Sequence, residues 1–205
     1  MTFKIGLCQM VGSLKEDMAE NKKETWAKAE QMIREAASIA LPEMWNCPYS
    51  NDFFRAYSES ADGETVGRMS ELAKTLGIYL IGGSIPELDD DRVYNTCFAF
   101  DREGQVIGKH RKAHLFDIDV KGGIRFMESD TLTAGDAATV IDTEYGKIGI
   151  AICYDVRFPE LFRKMTLDGA RMVFLPAAFN LTTGPAHWDL TMRARALDNQ
   201  IYFAA

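Results

Sequence analysis

Short apolar runs alternate with longer amphipathic stretches along the chain. Phe3 to Gln9, with Ile5 and Leu7 among small residues, predicts a strand, and Glu16 to Ser38 follows with Trp26, Ala29, Ile33 and Ala36 at helical spacing. A second strand, Ile39-Ala40-Leu41, stops at Pro42, and Asn46, Pro48, Ser50 and Asn51 mark an irregular loop after it. Val66, Met69, Leu72 and Leu76 give another helix, ended by Gly77 as a left-handed cap before the strand Ile78 to Ile81. Val93 to Phe100 and Gln105 to Gly108 predict a hairpin around Asp101-Arg102-Glu103-Gly104, and Thr139 to Asp142 with Lys147 to Ile152 predicts a second around Glu144-Tyr145-Gly146. Between them, Lys109 to Asp136 has no sustained period and reads as a long functional loop. A helix at Pro159 to Leu167, a buried strand at Met172 to Leu175, a helix at His187 to Asn199 and the apolar tail Ile201 to Ala205 complete the pattern.

Alternating strands and helices with inserted hairpins define an α/β fold whose sheets are covered by helices. Ligands in such folds collect at the carboxyl ends of strands, which is where Glu43, Cys153 and Pro176 fall.

Composition narrows the partners more than the fold. Of 205 residues, 47% are hydrophobic and 26% charged, which suits one large globular domain. Twenty-three basic against 30 acidic side chains leave a formal charge of −7, disfavouring nucleic acid or an anionic membrane as partner. No apolar run reaches the roughly 18 residues of a spanning helix, and Met1 to Met10 lacks the layout of a secretion signal, so a cytoplasmic protein is expected. Cys8, Cys47, Cys97 and Cys153 are far apart with no CxxC pair, which predicts reduced thiols rather than a zinc cluster or a redox dithiol.

Cys153 follows the strand GKIGIAI and opens a polar turn, the placement of a nucleophile elbow, although a small buried apolar residue would sit there equally well. Glu43, just past a strand ending in proline, suits proton transfer if partly desolvated, or is an ordinary solvated loop acid. Lys112 lies in KHRKAH, either a solvated basic patch or an ammonium set beside a thiolate, where it would lower the thiol pKa and stabilise an oxyanion. His110 and His114 have i,i+4 spacing but lack the glutamate of the zincin motif, so no metal site is expected.

The ordered set Leu41-Pro42-Glu43, His110-Arg111-Lys112 and Cys153-Tyr154-Asp155-Val156-Arg157-Phe158-Pro159-Glu160 is far more specific than any one member. Through it the sequence resembles the nitrilase superfamily of carbon–nitrogen hydrolases over essentially its whole length. Through LPEMWNCPYSNDFF, KHRKAHLFDIDV, FMESDTLTAGD and FNLTTGPAHWDLTMRARALDNQIY it is similar above all to the omega-amidase branch. The resemblance implies a four-layer α-β-β-α sandwich, Glu43 as general base and acid, Lys112 as electrophile, Cys153 as nucleophile, and Glu128 as support for the lysine. It implies no cofactor, and a homo-oligomer, at least a dimer, joined through helical faces. The expected reaction is hydrolysis of the omega-amide of a 2-oxo dicarboxylate to acid and ammonia through a thioester. The Tyr154 backbone N–H would help hold the oxyanion, and Tyr49, Thr182 and Thr183 offer hydroxyls for the remote carboxylate. The alternatives are another amidase of the superfamily, acting on an N-carbamoyl amine or a deaminated peptide amide, and a non-catalytic binding subunit. Two departures from the family pattern stand out. Ser38 to Ile39 leaves little room for a helix-to-strand loop, and the sequence ends at Ala205 before the family's last strands and tail, so 1–205 is expected to be a single domain without them.

Overall fold

The computed structural model of the protein describes residues 4–10, 17–35, 39–122 and 124–205. In chain order the elements are β1 (Gly6–Leu7), α1 (Met18–Glu35), β2 (Ile39–Ala40), α2 (Asn51–Tyr57), α3 (Glu64–Leu76), β3 (Leu80–Asp89), β4 (Arg92–Phe100) and β5 (Val106–Arg111). There follow β6 (Asp117–Asp119), β7 (Arg125–Met127), β8 (Thr139–Thr143), β9 (Gly146–Ile150), α4 (Pro159–Leu167), β10 (Met172–Phe174), α5 (Gly184–Asn199) and β11 (Tyr202–Ala204). Short 3₁₀ turns cover Glu128–Asp130 and Cys153–Arg157.

Two sheets form the centre. One has the order β1-β2-β3-β4-β5, parallel through β3 and antiparallel beyond it. The other has the order β11-β10-β9-β8, with only β8 antiparallel to its neighbour. Ile81, Cys97 and Ala99 of the first sheet pack against Ile141, Ile148 and Ile150 of the second. On the outer face of the first sheet, Trp26 and Ile33 of α1 and Met69 of α3 cover Ile85, Phe98 and Phe100. On the outer face of the second, Phe162 and Met165 of α4 cover Val173 and Leu175. Each fully buried side chain of this size stabilises the fold by about 1.5 to 3 kcal/mol, so burial on both faces of both sheets dictates the four-layer α-β-β-α order expected from the sequence. Among the described residues no helix is long and apolar enough to cross a membrane.

The structure corrects several expected boundaries. Ser50 caps α2 by accepting from the Asp52 N–H, and Phe54 and Tyr57 bury one face of that turn, so part of the expected irregular loop is helical. The expected loop from Lys109 begins as the end of β5 and later holds the β6–β7 hairpin, whose pairing centres on Ile118 and Phe126. The third strand runs to Asp89 rather than stopping at Ile81, because the chain passes a bulge at Gly82-Gly83 and re-enters register at Ser84. Gly77 does take the left-handed cap conformation, with φ 60° and ψ 41°. Phe3, Ala36 and the tight passage at Ser38 lie outside the described residues.

The bulge at Gly83 packs directly against the Leu41-Pro42 segment at the end of β2. At φ +63°, a Cβ on Gly83 would lie 2.3 Å from the Pro42 carbonyl oxygen and 2.8 Å from Leu41 Cβ. Gly83→Ala is therefore expected to destabilise the protein by about 2 kcal/mol or more. Gly67, exposed on α3 with no atom near its Cβ position, predicts the opposite sign. Its change to alanine should add about 0.5 to 1 kcal/mol. Paired urea denaturation of the two variants checks both.

Candidate active site

Four strand ends meet at one point: Pro42-Glu43 beyond β2, Lys112 beyond β5, Cys153 beyond β9, and Pro176 to Ala178 beyond β10. The Glu43 turn is stapled to the bulge of β3. Ser84 N–H donates to the Pro42 carbonyl at 3.0 Å, Met44 N–H to Ser84 Oγ at 3.0 Å, and Trp45 Nε1 to the Gly82 carbonyl at 2.8 Å. Lys112 is held through its backbone, whose N–H donates to Asn95 O at 2.8 Å and whose carbonyl accepts from Gly135 at 2.9 Å. Cys153 N–H donates to Pro176 O at 2.9 Å, tying the elbow to the neighbouring strand end.

Strain gathers at the same point. Met44 and Cys153 both have positive φ, 48° and 41°, a left-handed conformation that costs a side-chain-bearing residue on the order of 1 to 3 kcal/mol. At Cys153 it turns the backbone sharply out of the strand and into the 3₁₀ turn, as a nucleophile elbow requires.

Around the lysine, charges are paired out of water. Lys112 and Glu128 are 0% exposed and Glu43 4%. Lys112 Nζ lies 2.9 Å from Glu43 Oε1 and 3.0 and 2.9 Å from the two Glu128 oxygens. Every neighbour of Glu128 is a donor: the lysine, the Phe116 N–H at 2.6 Å, and the Tyr49 hydroxyl. Burial and the facing charge of Glu43 raise its pKa above the ordinary carboxylate value, and the Lys112 charge opposes them. The ammonium and the amide N–H can only donate and between them reach both oxygens, which favours the acceptor form, the carboxylate. Burial alone would lower the lysine pKa, but the two carboxylates outweigh it and hold the ammonium charged.

Glu43 uses its oxygens unequally. Oε1 accepts from Lys112 and from Asn95 Nδ2, each at 2.9 Å, with the Tyr49 hydroxyl 3.2 Å away. Oε2 accepts from the Ala178 N–H at 3.0 Å. Oε2 therefore keeps acceptor capacity for the Cys153 proton, and the charge of Glu43 acts directly on that thiol.

One expectation about this thiol is corrected. Lys112 does not bring the Cys153 pKa down. Burial, then the charge of Glu43, push it well above its ordinary value of 9.0, and the lysine counters them only in part. Two carboxylates already face one ammonium, so a thiolate would place a second excess negative charge in a dry site. Cys153 rests as a thiol beside its base.

A cavity of about 310 Å³ opens over Cys153. Tyr49, Phe116, Phe126 and Phe179 give it aromatic walls, and Arg125 and Arg157 line it with positive charge. Arg157 Nε is buried without a hydrogen-bond partner among the described residues, and the guanidinium carbon lies 5.7 Å from the centre of the Phe179 ring. Thr183 lines the cavity, but its hydroxyl is bonded to Asn180 Oδ1 at 3.0 Å. Thr182 is exposed and outside the lining, with its N–H on the same Asn180 oxygen, so the structure does not place it with the site. Tyr49 is in the wall, but its hydroxyl serves the two glutamates. The Tyr154 N–H stands in the first turn of the 3₁₀ helix, where no carbonyl of that turn can accept it.

Arg157, Asn95 and the Ala178 N–H carry parts of this site that the sequence did not assign. Arg157 sits four residues after Cys153 in the CYDVRFPE motif, so its charge near the nucleophile was an available signal. Asn95 is one polar residue inside a strand, and nothing in its neighbours marks it.

Known proteins match the chain over most of its length. It is 54% identical over 193 residues to the Dictyostelium discoideum protein named nitrilase homolog 2, covering 91% of this chain and 59% of that protein. It is 50% identical over 212 residues to the Arabidopsis thaliana chloroplastic omega-amidase, covering 98% of this chain and 56% of that one. The chain thus spans less than two thirds of the length of these relatives. Saccharomyces cerevisiae Nit3, a solved structure described as a member of branch 10 of the nitrilase superfamily, superposes with a TM-score of 0.79 at 41% identity, over 95% of this chain and 73% of that one. The sequence profile described as carbon-nitrogen hydrolase matches residues 4–205, and the chain belongs to that family.

Proposed function

We propose that this chain hydrolyses a small carboxylate-bearing amide, the omega-amide of a 2-oxo dicarboxylate, to the acid and ammonia. The observation that carries the reading is the meeting of a buried thiol, Glu43 and the fixed ammonium of Lys112 at the point where Cys153 lines one small cavity. Similarity to a protein named omega-amidase supports the substrate class.

The steps follow from where the protons sit. As Cys153 Sγ attacks the amide carbon, its proton passes to Glu43 Oε2. The carbonyl oxygen takes the negative charge and is stabilised by the Lys112 ammonium and the Tyr154 N–H. When the tetrahedral adduct collapses, Glu43 returns that proton to the leaving nitrogen, the C–N bond breaks, and ammonia departs from a thioester. Glu43, again a carboxylate, takes a proton from water as the water oxygen attacks the thioester, and gives it back to sulfur as the C–S bond breaks. Glu128 stays bonded to the lysine throughout, and no cofactor is needed.

Arg157 supplies what a remote carboxylate needs, a guanidinium at the wall of the cavity. It takes over the role expected of the loop hydroxyls. A cavity of about 310 Å³ is at the small end for ligand sites and fits a short diacid monoamide better than a peptide amide. Leu167 of α4 and Leu190 and Leu197 of α5 are exposed, which supports association through the outer helices.

Three free, buried cysteines allow a direct test of the nucleophile. Cys153→Ala should abolish ammonia release from 2-oxoglutaramate, while Cys47→Ala and Cys97→Ala retain it. Burial pushes the Cys47 thiol up to about 12 and raises that of Cys97 further, and unlike Cys153 neither has a carboxylate acting on it to take its proton. In folded protein, Glu43→Gln and Lys112→Met should each lose at least about a hundredfold in kcat. Full activity in Cys153→Ala would overturn the reading.

Arg157→Met should lower kcat/KM for 2-oxoglutaramate about tenfold to a hundredfold, the worth of a charged hydrogen bond, and leave hydrolysis of a neutral aliphatic amide nearly unchanged. A comparison of the two amides with both proteins checks this. A wild-type preference for the neutral amide or for N-carbamoylputrescine would move the chain to another amidase activity.

A further inference from the structure

Asp155 is a buried acid outside the Glu43-Lys112-Glu128 cluster whose two oxygens accept four hydrogen bonds, and the reaction does not use it. Its side chain is 0% exposed. Oδ2 accepts from the Ile152 N–H at 2.9 Å and from His110 Nε2 at 3.0 Å. Oδ1 accepts from the His114 N–H at 3.0 Å and from His114 Nδ1 at 2.8 Å. Hydrogen bonds from both histidines outweigh burial and bring its pKa down to about 2, so it is an acceptor at any working pH, and each histidine carries its proton on the nitrogen facing it.

The partners come from two places. Ile152 immediately precedes Cys153, and Asp155 lies in the 3₁₀ turn that Cys153 opens. His110, within β5 of the other sheet, and His114, just beyond the end of that strand, flank Lys112. His110 Nδ1 also meets Thr139 Oγ1 of β8 at 3.0 Å, and the His114 ring stacks on Phe158 with centres 3.6 Å apart. One carboxylate therefore bridges the segment bearing the electrophile and the elbow bearing the nucleophile, which share no strand pairing.

We infer that Asp155, with His110 and His114, is the positioning clamp that sets Cys153 against Glu43 and Lys112. The inference rests on the reading of those three as the reacting groups. Substrate binds in the cavity above, and Asp155 is not among its lining residues. Loosening the clamp should therefore slow the chemical step and leave binding alone. A displacement of about 1 Å between reacting groups can cost on the order of a hundredfold.

The test uses the full chain and four variants. Asp155→Asn keeps the shape but turns one acceptor into a donor facing donors. His114→Ala removes one bond of the clamp, and His114→Asn restores a donor at the position of Nδ1. His110→Gln keeps a donor at the position of Nε2. Each is read by thermal unfolding, by kcat and KM for ammonia release from 2-oxoglutaramate, and by the rate at which iodoacetamide alkylates Cys153. The expected result is a kcat loss of at least about thirtyfold in Asp155→Asn and about tenfold in His114→Ala. KM should stay within about threefold in both, and His114→Asn and His110→Gln should stay within about threefold of wild-type kcat. If Asp155→Asn does not fold, the half-exposed His114 pair decides alone. Wild-type kcat in His114→Ala, or a kcat loss no larger than the unfolded fraction accounts for, would overturn the clamp. Absence of ammonia release by the wild type would instead sink the amidase reading. The clamp would then be judged by alkylation, expected to slow about tenfold in His114→Ala and to recover in His114→Asn; an unchanged rate would reject it.

Discussion

An ammonium with no exposure to water, Lys112, is held between two carboxylates, and most of the site is arranged around that fact. Burying a charge costs several kcal/mol unless its partners are close and fully bonded, and removing one partner of such a group typically costs about 3 to 5 kcal/mol. The structure meets the requirement from several elements at once. Glu43 comes from the end of β2, Glu128 from the 3₁₀ turn after β7, and the lysine from the end of β5. Phe116 N–H, Asn95 Nδ2 and Ala178 N–H bond the same two carboxylates. The Gly83 bulge brings Pro42-Glu43 within reach, because only a residue without Cβ lets β3 pass so close to it.

From this arrangement the state of the nucleophile follows. The lysine charge is already committed to the glutamates and has little left to stabilise a resting thiolate. In the proposed reaction it becomes available when an oxyanion forms and Glu43 has taken a proton, since protonated Glu43 no longer competes for it. Charge compensation thus strengthens along the reaction coordinate, which is where it lowers the barrier rather than merely binding substrate. The strained turn at Cys153 and the Asp155 bonds hold the sulfur in place while that shift occurs.

Much of the fold was legible because the hydrophobic pattern is consistent. α3, α4, β4 and the β8–β9 hairpin lie where periodicity and turn residues put them. α2 was not read, because Pro48, Ser50 and Asn51 are turn formers and its apolar face consists only of Phe54 and Tyr57. Within Lys109 to Asp136, strands of three residues are too short to show a period. Glu43, Lys112, Glu128 and Cys153 were located through ordered local motifs, and the structure brings the four together. What could not be read was their mutual electrostatics. That Lys112 only partly offsets what raises the thiol pKa depends on Glu43 and Glu128 both facing it, and the sequence carries no sign of that shared geometry. The pairing of His110 and His114 with Asp155 was hidden for the same reason, and their spacing suggested only a metal motif that lacked its glutamate.

The central claim is that Cys153 rests protonated beside a carboxylate acceptor. It is tested most directly by thiolate ultraviolet absorption as a function of pH, taken as the difference between the wild type and Cys153→Ala. With the Cys153 pKa raised above 9.0, the account predicts no thiolate signal from this residue at about pH 7, and a signal emerging only in the alkaline range above its ordinary value. A thiolate band present at about pH 7 and lost in Cys153→Ala would show that Lys112 ionises the nucleophile at rest, and would contradict it.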